Sequence, residues 1–384
     1  MAYRTTMTGS WFRSSEIMGL LAQSTTGELP IAHSAQYLAA ERTAIREQLH
    51  PLGSSHGLYE VSNGQQRVSG YTTFLPNRFR GFSDRERAGL PMTPELVREM
   101  VESNPAMAAA LGSTQAAFLL PKIVRPLEYV GGESAAREAR DASVLAREEG
   151  APSVFLPSPS PGVITIFYPR NREVYPTHLD YLRGVAREIA KEYRAILEVP
   201  GTVLQIDAPD LAMGKQTGSD WGMEFGEALP HHVDLINEAI RGLPKERIRV
   251  HYCYGNYAAS HELDAHFSSV LPELTRLNVR AVVGELANPH HEGDLLLLRR
   301  FVREHGWPSK LGFVGGMIDV KTPIVESPET VKFRLDQLAA IVGPENTWGG
   351  TDCGFETFAG MNGVTHTVAL QKLRALATGA AMAD

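Results

Sequence analysis

From about residue 150 onward the chain repeats one pattern, a short apolar run followed by a longer stretch with apolar residues at helical spacing. The apolar runs are VFLP (154–157), VLQID (203–207), RVHYC (249–253), VRAVVGE (279–285), KLGFVGG (310–316) and TWGGTDC (347–353). Helical stretches follow them over 176–197, 230–242, 262–276, 293–305, 328–342 and 365–380. This alternation predicts βα units around a parallel sheet. Two further strands are expected upstream, in YRTTMTGS (3–10) and GLYEVSNG (57–64). Eight strands with intervening helices predict an α/β protein of (β/α)8 TIM-barrel type. A doubly wound open sheet is the alternative, and it usually needs fewer units. Residues 66–131 break the alternation with GFSDRERAGLPMTPELV, a helical stretch, and FLLPKIVRPLEYV. They read as an excursion between the second and third strands, packed over or beside the barrel mouth. SPSPG (158–162) reads as a loop, and GESAAREARDASVLAREEG (132–150) as an exposed helix of alternating charge. No internal repeat and no Gly/Ser linker interrupts the chain, so residues 1–384 are expected to form one domain.

Composition narrows the function classes. A net charge of -7 and the lack of a long Lys/Arg run argue against a nucleic-acid partner. No window approaches the roughly 18 consecutive apolar residues that a bilayer span needs. The opening MAYRTTMTGSWFRSSEI lacks the apolar core of a signal peptide. Two cysteines cannot build a disulfide framework, and a reducing interior suits free thiols or metal ligands. A cytoplasmic protein with no membrane partner is expected. Barrel enzymes often self-associate, so a homo-oligomer is compatible with the fold, and nothing in the sequence marks its interface.

Active sites of such barrels sit at the C-terminal ends of the strands. The residues inferred to lie there are unusually polar: Asp207, His251 with Cys253, Glu285, Asp319 with Lys321, and Asp352 with Cys353. His251 and Cys253 are two apart on one strand and therefore face the same way. The plain reading of that pair is a neutral histidine and a buried thiol in the core. Both cysteines of the chain, however, fall at the same end of the inferred barrel, which packing alone would not require. An imidazole, two thiolates and a carboxylate form a tetrahedral zinc set. Mixed N/S/O ligands without an axial Met pattern point to zinc before iron or copper. The ligands are scattered over three strands, so the barrel is expected to fold without the ion and to use it for chemistry.

The motifs HYCYGNY, GELANPHHEGD, GGMIDVKTPIVESPE, GGTDCGFET and LQIDAPDL together resemble the C-terminal catalytic barrel of the cobalamin-independent methionine synthases. The resemblance extends to that family's shorter relatives, among them epoxyalkane:coenzyme M transferases, and runs from TGS (8–10) to the last strand. It implies a single-barrel core form that catalyses zinc-dependent alkyl transfer to a thiol. Carried over residue by residue, the ligands are His251, Cys253, Glu285 and Cys353, with Ser10 and Asp207 at the polar end of the thiol substrate. The expected partners are a small-molecule thiol and an alkyl donor. The first expectation is methylation of homocysteine or a related thiol by a donor such as 5-methyltetrahydrofolate. The second is addition of a thiol to an epoxide, and a third class is a non-catalytic, zinc-stabilised barrel. Two thiolates and Glu285 set three negative charges against two positive, and four protein ligands would close a site that catalytic zinc keeps open. Glu285 is expected to be the ligand that lets go.

Two positions depart from the family pattern. Gln65 stands where the family carries a carboxylate for the amino group of homocysteine, and an amide supplies no charge. The plain alternative is a solvent-facing loop residue. Lys321 stands where the synthases place a histidine acid. A lysine donates a proton only if burial or neighbouring charge lowers its pKa. It could otherwise neutralise an anionic substrate, or pair with Asp319 or Glu326. Asp207 and Lys321 are the candidate catalytic groups. Asn288 and His291 follow Glu285 closely and could support it from behind. The pairs His231–His232, His261/His266 and His290–His291 are expected to be solvated or capping residues. Trp221 and Tyr257 read as packing, and Asn256 as a turn residue.

Overall fold

The computed structural model describes residues 2–89, 92–103, 119–213, 216 and 221–382. Ten strands occur among them: β1 (Arg4–Thr5), β2 (Glu60–Ser62), β3 (Phe79–Ala88), β4 (Leu120–Tyr129), β5 (Ser153–Pro159), β6 (Thr202–Asp207), β7 (Ile248–His251), β8 (Ala281–Gly284), β9 (Gly312–Ile318) and β10 (Thr347–Thr351). Eight of them form one parallel sheet in the order β1-β10-β9-β8-β7-β6-β5-β2. The two edge strands meet through a parallel bridge from Thr6 to Glu60, and the Tyr59 N–H donates to the Thr5 carbonyl at 3.0 Å. The sheet is therefore curled into a nearly closed barrel, with helices between successive strands, as the apolar periodicity predicts.

All residues of β6 to β10 are buried, which explains why they read as continuous apolar runs rather than as alternating ones. One face packs on the helices and the other on the barrel interior. The interior also accommodates a charge. Arg249 of β7 is fully buried, lies over the Phe155 ring at 3.7 Å, and donates to Glu60 (2.6 Å), Gln205 (2.8 Å), Thr6 (3.0 Å) and the Met7 carbonyl (3.0 Å). A buried guanidinium is tolerable only when its donors are met in this way.

Several local expectations need correction. The chain between β2 and β5 contains an antiparallel ribbon, β3 with β4, and the helices Leu75–Arg78 and Pro94–Ser103. The ribbon escapes a pattern reading because FRGFSDRERA is largely charged and half exposed. Residues 90, 91 and 104–118 of the excursion lie outside the described residues. SPSPG is not a loop: Ser158 and Pro159 complete β5, and Ser160 caps the buried helix Pro161–Phe167 by accepting from the Val163 N–H at 2.9 Å. A serine before a proline at the first helical position carries that signal. The helix Gly132–Glu148 buries Ala135, Ala139, Ala142, Leu145 and Ala146, and its Glu138 accepts from buried Arg78 at 2.7 Å, so it is half inside. His231 and His232 stand in the body of the helix Phe225–Ala239 rather than at its start. No described helix is long and apolar enough to cross a membrane.

Candidate metal centre

β7 ends at His251, β8 at Gly284 and β10 at Thr351, so Cys253, Glu285 and Cys353 stand just past the strand ends. The three loops are tied together. Asp352 accepts from the N–H groups of Leu286 (2.9 Å), Ala287 (3.0 Å) and Asn288 (2.7 Å), which locks the loop after β8 to the end of β10. Asn256 donates to the Gly354 carbonyl (2.8 Å) and Thr357 Oγ1 (2.7 Å), joining the loop after β7 to the loop after β10. Asn256 is thus a clamp as well as a turn residue. Gly284 is demanded by close approach, because a Cβ there would lie 2.0 Å from the Tyr252 ring.

Within this frame the Cys253 and Cys353 sulfurs lie 3.8 Å apart and unbridged. The ligand atoms of His251, Cys253 and Cys353 all fall within 4.8 Å of one another, and all three residues are buried. His251 Nδ1 faces the Val283 carbonyl at 3.3 Å, and a carbonyl can only accept, so Nδ1 carries a proton and Nε2 is the ring atom left to face an ion. Glu285 stands beside the triad. Its Oε1 is 3.7 Å from Cys253 Sγ, and its Oε2 accepts from Lys321 Nζ at 2.6 Å. The spacing of the thiols can be set against a zinc ion: two sulfurs at about 2.3 Å on tetrahedral vertices sit about 3.8 Å apart. The donor set and its spacing fit such an ion.

The electrostatics separate the two thiols. A hydrogen bond from Cys253, aided by His251, pulls the Cys353 thiol well below its ordinary range. The same contact, with burial, pushes Cys253 up. Burial opposes a charged His251, and the Cys353 thiolate outweighs it, raising that ring. Burial lifts Asp207 to about 7, against His251 and Gln205, which pull it down. For Glu285 and Lys321 burial opposes both charges, yet each partner outweighs it: the carboxyl falls and the ammonium rises.

A cavity of about 480 Å³ opens onto the thiols. Ser10, Gln65 and Asp207 line it together with His251, Cys253 and Cys353. Val163, Ile166, Phe167, Leu96, Met100 and Met361 form apolar walls, so the helix Pro94–Ser103 of the excursion borders the site. Gln65 is buried at φ +55°, not solvent-facing. Lys321 is not among the lining residues. Nor does it pair as its neighbours suggest: Asp319 accepts only its backbone N–H, and Glu326 accepts from Lys372. Asn288 accepts from the His290 N–H through its side-chain oxygen at 2.9 Å.

Of the six histidines expected to be solvated or capping, His231, His266 and His290 are exposed, and His232, His261 and His291 are buried. His232 contacts Asp210 at 2.7 Å and His178 at 3.1 Å, and His261 contacts Asp264 at 3.0 Å and the Tyr257 carbonyl at 2.9 Å. Asp264, His290 and His291 have metal-like spacing. His291, however, spends both ring nitrogens on carboxylates, Asp294 (2.9 Å) and Asp264 (2.8 Å), and stacks on Tyr254 at 3.8 Å. Burial opposes its charge and the two carboxylates outweigh that, lifting it to about 9, so the ring is an imidazolium without a lone pair for an ion. Trp221 packs on His178, whereas Tyr257 borders the cavity. Tyr71 also lines the cavity, with its ring edge-on to Phe167 and tilted against Phe358, both at 5.5 Å. Its place in the irregular excursion hides it from a strand-end search.

Fold and site together define a (β/α)8 barrel with a thiol–imidazole centre at the C-terminal ends of its strands. Residues 168–378 match the family described as cobalamin-independent synthase, catalytic domain. The chain belongs to that family. It is 27% identical over 207 residues to methionine synthases of Sulfurisphaera tokodaii and Saccharolobus solfataricus, covering 54% of this chain and 50% and 52% of theirs. The chain thus spans about half the length of the curated relatives it matches. In fold it is similar to a B12-independent methionine synthase from Shewanella sp. W3-18-1 solved with selenomethionine (TM-score 0.71, 20% identity, covering 100% of this chain and 98% of that one). A vitamin-B12-independent methionine synthase described as putative, from Listeria monocytogenes, is similar at TM-score 0.59 and 18% identity, covering 98% of this chain and 96% of that one.

Proposed function

We propose that this chain is a zinc-dependent S-methyl- or S-alkyltransferase acting on homocysteine or a related thiol, with a methyl donor such as 5-methyltetrahydrofolate. The single observation that carries the reading is the pair of unbridged thiols 3.8 Å apart beside His251. His251, Cys253 and Cys353 would hold the ion, with Glu285 as the fourth and displaceable ligand. When bound, zinc favours the thiolate form of an incoming thiol at neutral pH. Ser10, Gln65 and Asp207 would take the polar end of that thiol at the cavity floor. Val163, Ile166 and Phe167 exclude water from the space where sulfur and alkyl carbon meet. Lys321 keeps the carboxylate of Glu285 charged and turned partly away from the thiols. Free thiols of this kind suit a reducing cytoplasm.

A second donor class draws support from one observation: among the described residues that line the cavity there is no lysine or arginine. An uncharged donor such as an epoxide needs no such counter-ion. Metal analysis of the isolated protein, and mass analysis of homocysteine incubated with either donor, test both readings. Cys353→Ser is expected to take zinc well below one equivalent per chain and to abolish alkylation. Full zinc content and activity in that variant would remove the ligand assignment.

A further inference from the structure

Alkyl transfer to sulfur leaves an electron pair on the atom that departs from carbon. A departing oxygen or nitrogen then needs a proton, and positioned acids supply rate factors of about 100 to 10,000. Lys321, the sequence-level candidate, is badly placed for that task. Its ammonium is spent on Glu285 at 2.6 Å, and it does not line the cavity. The O–H and N–H groups that do line it are few. Thr8 Oγ1 donates to the Thr351 carbonyl at 2.8 Å, and the Asn256 amide is committed to the loop after β10. The Tyr257 hydroxyl is closed off from the open space. Thr357, Ser10 and Gln65 remain, all far weaker acids than a phenol, whose ordinary pKa is about 10, and the Asp207 carboxyl is taken up by the polar end of the thiol in the function proposed above.

Tyr71 differs from all of these. It borders the cavity with Cys253, Cys353 and Asp207, and its hydroxyl makes no hydrogen bond to any described residue. Phe167 and Phe358 hold its ring at centroid distances of 5.5 Å.

We infer that Tyr71 is the proton donor to the departing atom of the alkyl donor, an inference that rests on the S-alkyl-transfer function proposed above. The step balances as follows for an epoxide. The sulfur of the thiol bonds to a ring carbon, the carbon–oxygen bond breaks with its pair on oxygen, and that oxygen takes the phenolic proton. Tyr71 regains a proton from solvent, to which the thiol lost its own. Methyl iodide provides the contrast, because iodide leaves with its pair and needs no proton.

The test uses the zinc-loaded full chain, homocysteine, and two probes, 1,2-epoxypropane and methyl iodide. Tyr71→Phe keeps the ring and removes only the hydroxyl. The ratio of epoxide to iodide rates is expected to fall about 100-fold in the variant, and the solvent deuterium effect on the epoxide arm to disappear. A ratio within about 3-fold of the parent would overturn the assignment, because loss of packing alone slows both probes together. A second readout is independent of rate. In a crystal of the 2-hydroxypropyl thioether product complex, Tyr71 Oη should lie about 3 Å from the product hydroxyl; another residue donating there overturns the proposal. If the parent alkylates homocysteine with neither probe faster than the zinc-free protein, the transfer function itself falls and takes the role of Tyr71 with it.

Discussion

Glu285 is fully buried and faces in two directions, toward Cys253 Sγ at 3.7 Å through one oxygen and toward Lys321 Nζ at 2.6 Å through the other. Without an ion, Lys321 is the only cation in direct contact with this carboxylate among the described residues. Removing one partner of a buried pair typically costs about 3–5 kcal/mol, because the other charge is left uncompensated. Lys321→Met is therefore expected to destabilise the zinc-free protein by that amount in urea unfolding. With zinc bound, a second positive charge reaches the same carboxylate, so the penalty should shrink. An equal penalty with and without zinc would mean that Glu285 does not address the ion. This pairing was hidden from the sequence. Strand-end position marks Glu285 and Lys321 as neighbours of the site, but Asp319 and Glu326 are nearer Lys321 in the chain, and only the loop geometry decides among them. The opposite holds for His251, Cys253 and Cys353, where residue type and strand-end position together suffice to predict the approach that is observed.

The loops past the strands are held by elements that a periodicity reading misses. His291 bridges Asp264 of one loop and Asp294 at the start of the helix Asp294–His305, and its charge makes that bridge strong. Its pKa of about 9 in the folded protein lies above the ordinary 6.5, so folding favours the protonated ring. The stabilisation is then complete below about pH 6.5 and is lost as pH rises through about 9. The shift corresponds to about 3 kcal/mol, reduced by residual solvent contact. His291→Gln is expected to narrow its stability deficit steadily between pH 6.5 and 9.5 in urea titrations; a deficit flat across that range would place a neutral ring there. Elements with a strong single period were legible: the helix Pro328–Val342 falls on its expected bounds, and the strands β6 to β10 lie within two residues of theirs. The β3–β4 ribbon and the helix Pro161–Phe167 were not, since one is charged along an exposed face and the other is short and apolar on every side.

At the scale of the whole molecule, the sheet closes where β1 meets β2, the two strands with the fewest residues in the barrel. Two or three backbone residues per strand cannot hold that seam alone, and a charge network assists. Glu60 of β2 accepts from Arg249 of β7 at 2.6 Å, from Arg280 next to β8 at 2.6 Å and from Ser153 of β5 at 2.8 Å. Burial raises the Glu60 carboxyl, and the two guanidinium groups outweigh it, so the carboxylate form prevails. Barrel topology was legible because eight runs count to a known closure. This network was not, because Arg249 interrupts an apolar run and its partner lies 189 residues away. Glu60→Gln keeps the shape and removes the charge, leaving fully buried Arg249 without its counter-ion. A loss of about 3–5 kcal/mol in urea unfolding is expected. Glu60 opens β2, at the end of the barrel opposite the thiols, so zinc affinity should change little while stability falls. Pairing Glu60→Gln with Arg249→Met removes the stranded cation and should recover part of the loss, giving a double-mutant coupling of opposite sign to the single deficits. Additive deficits would show that the seam is held by packing alone.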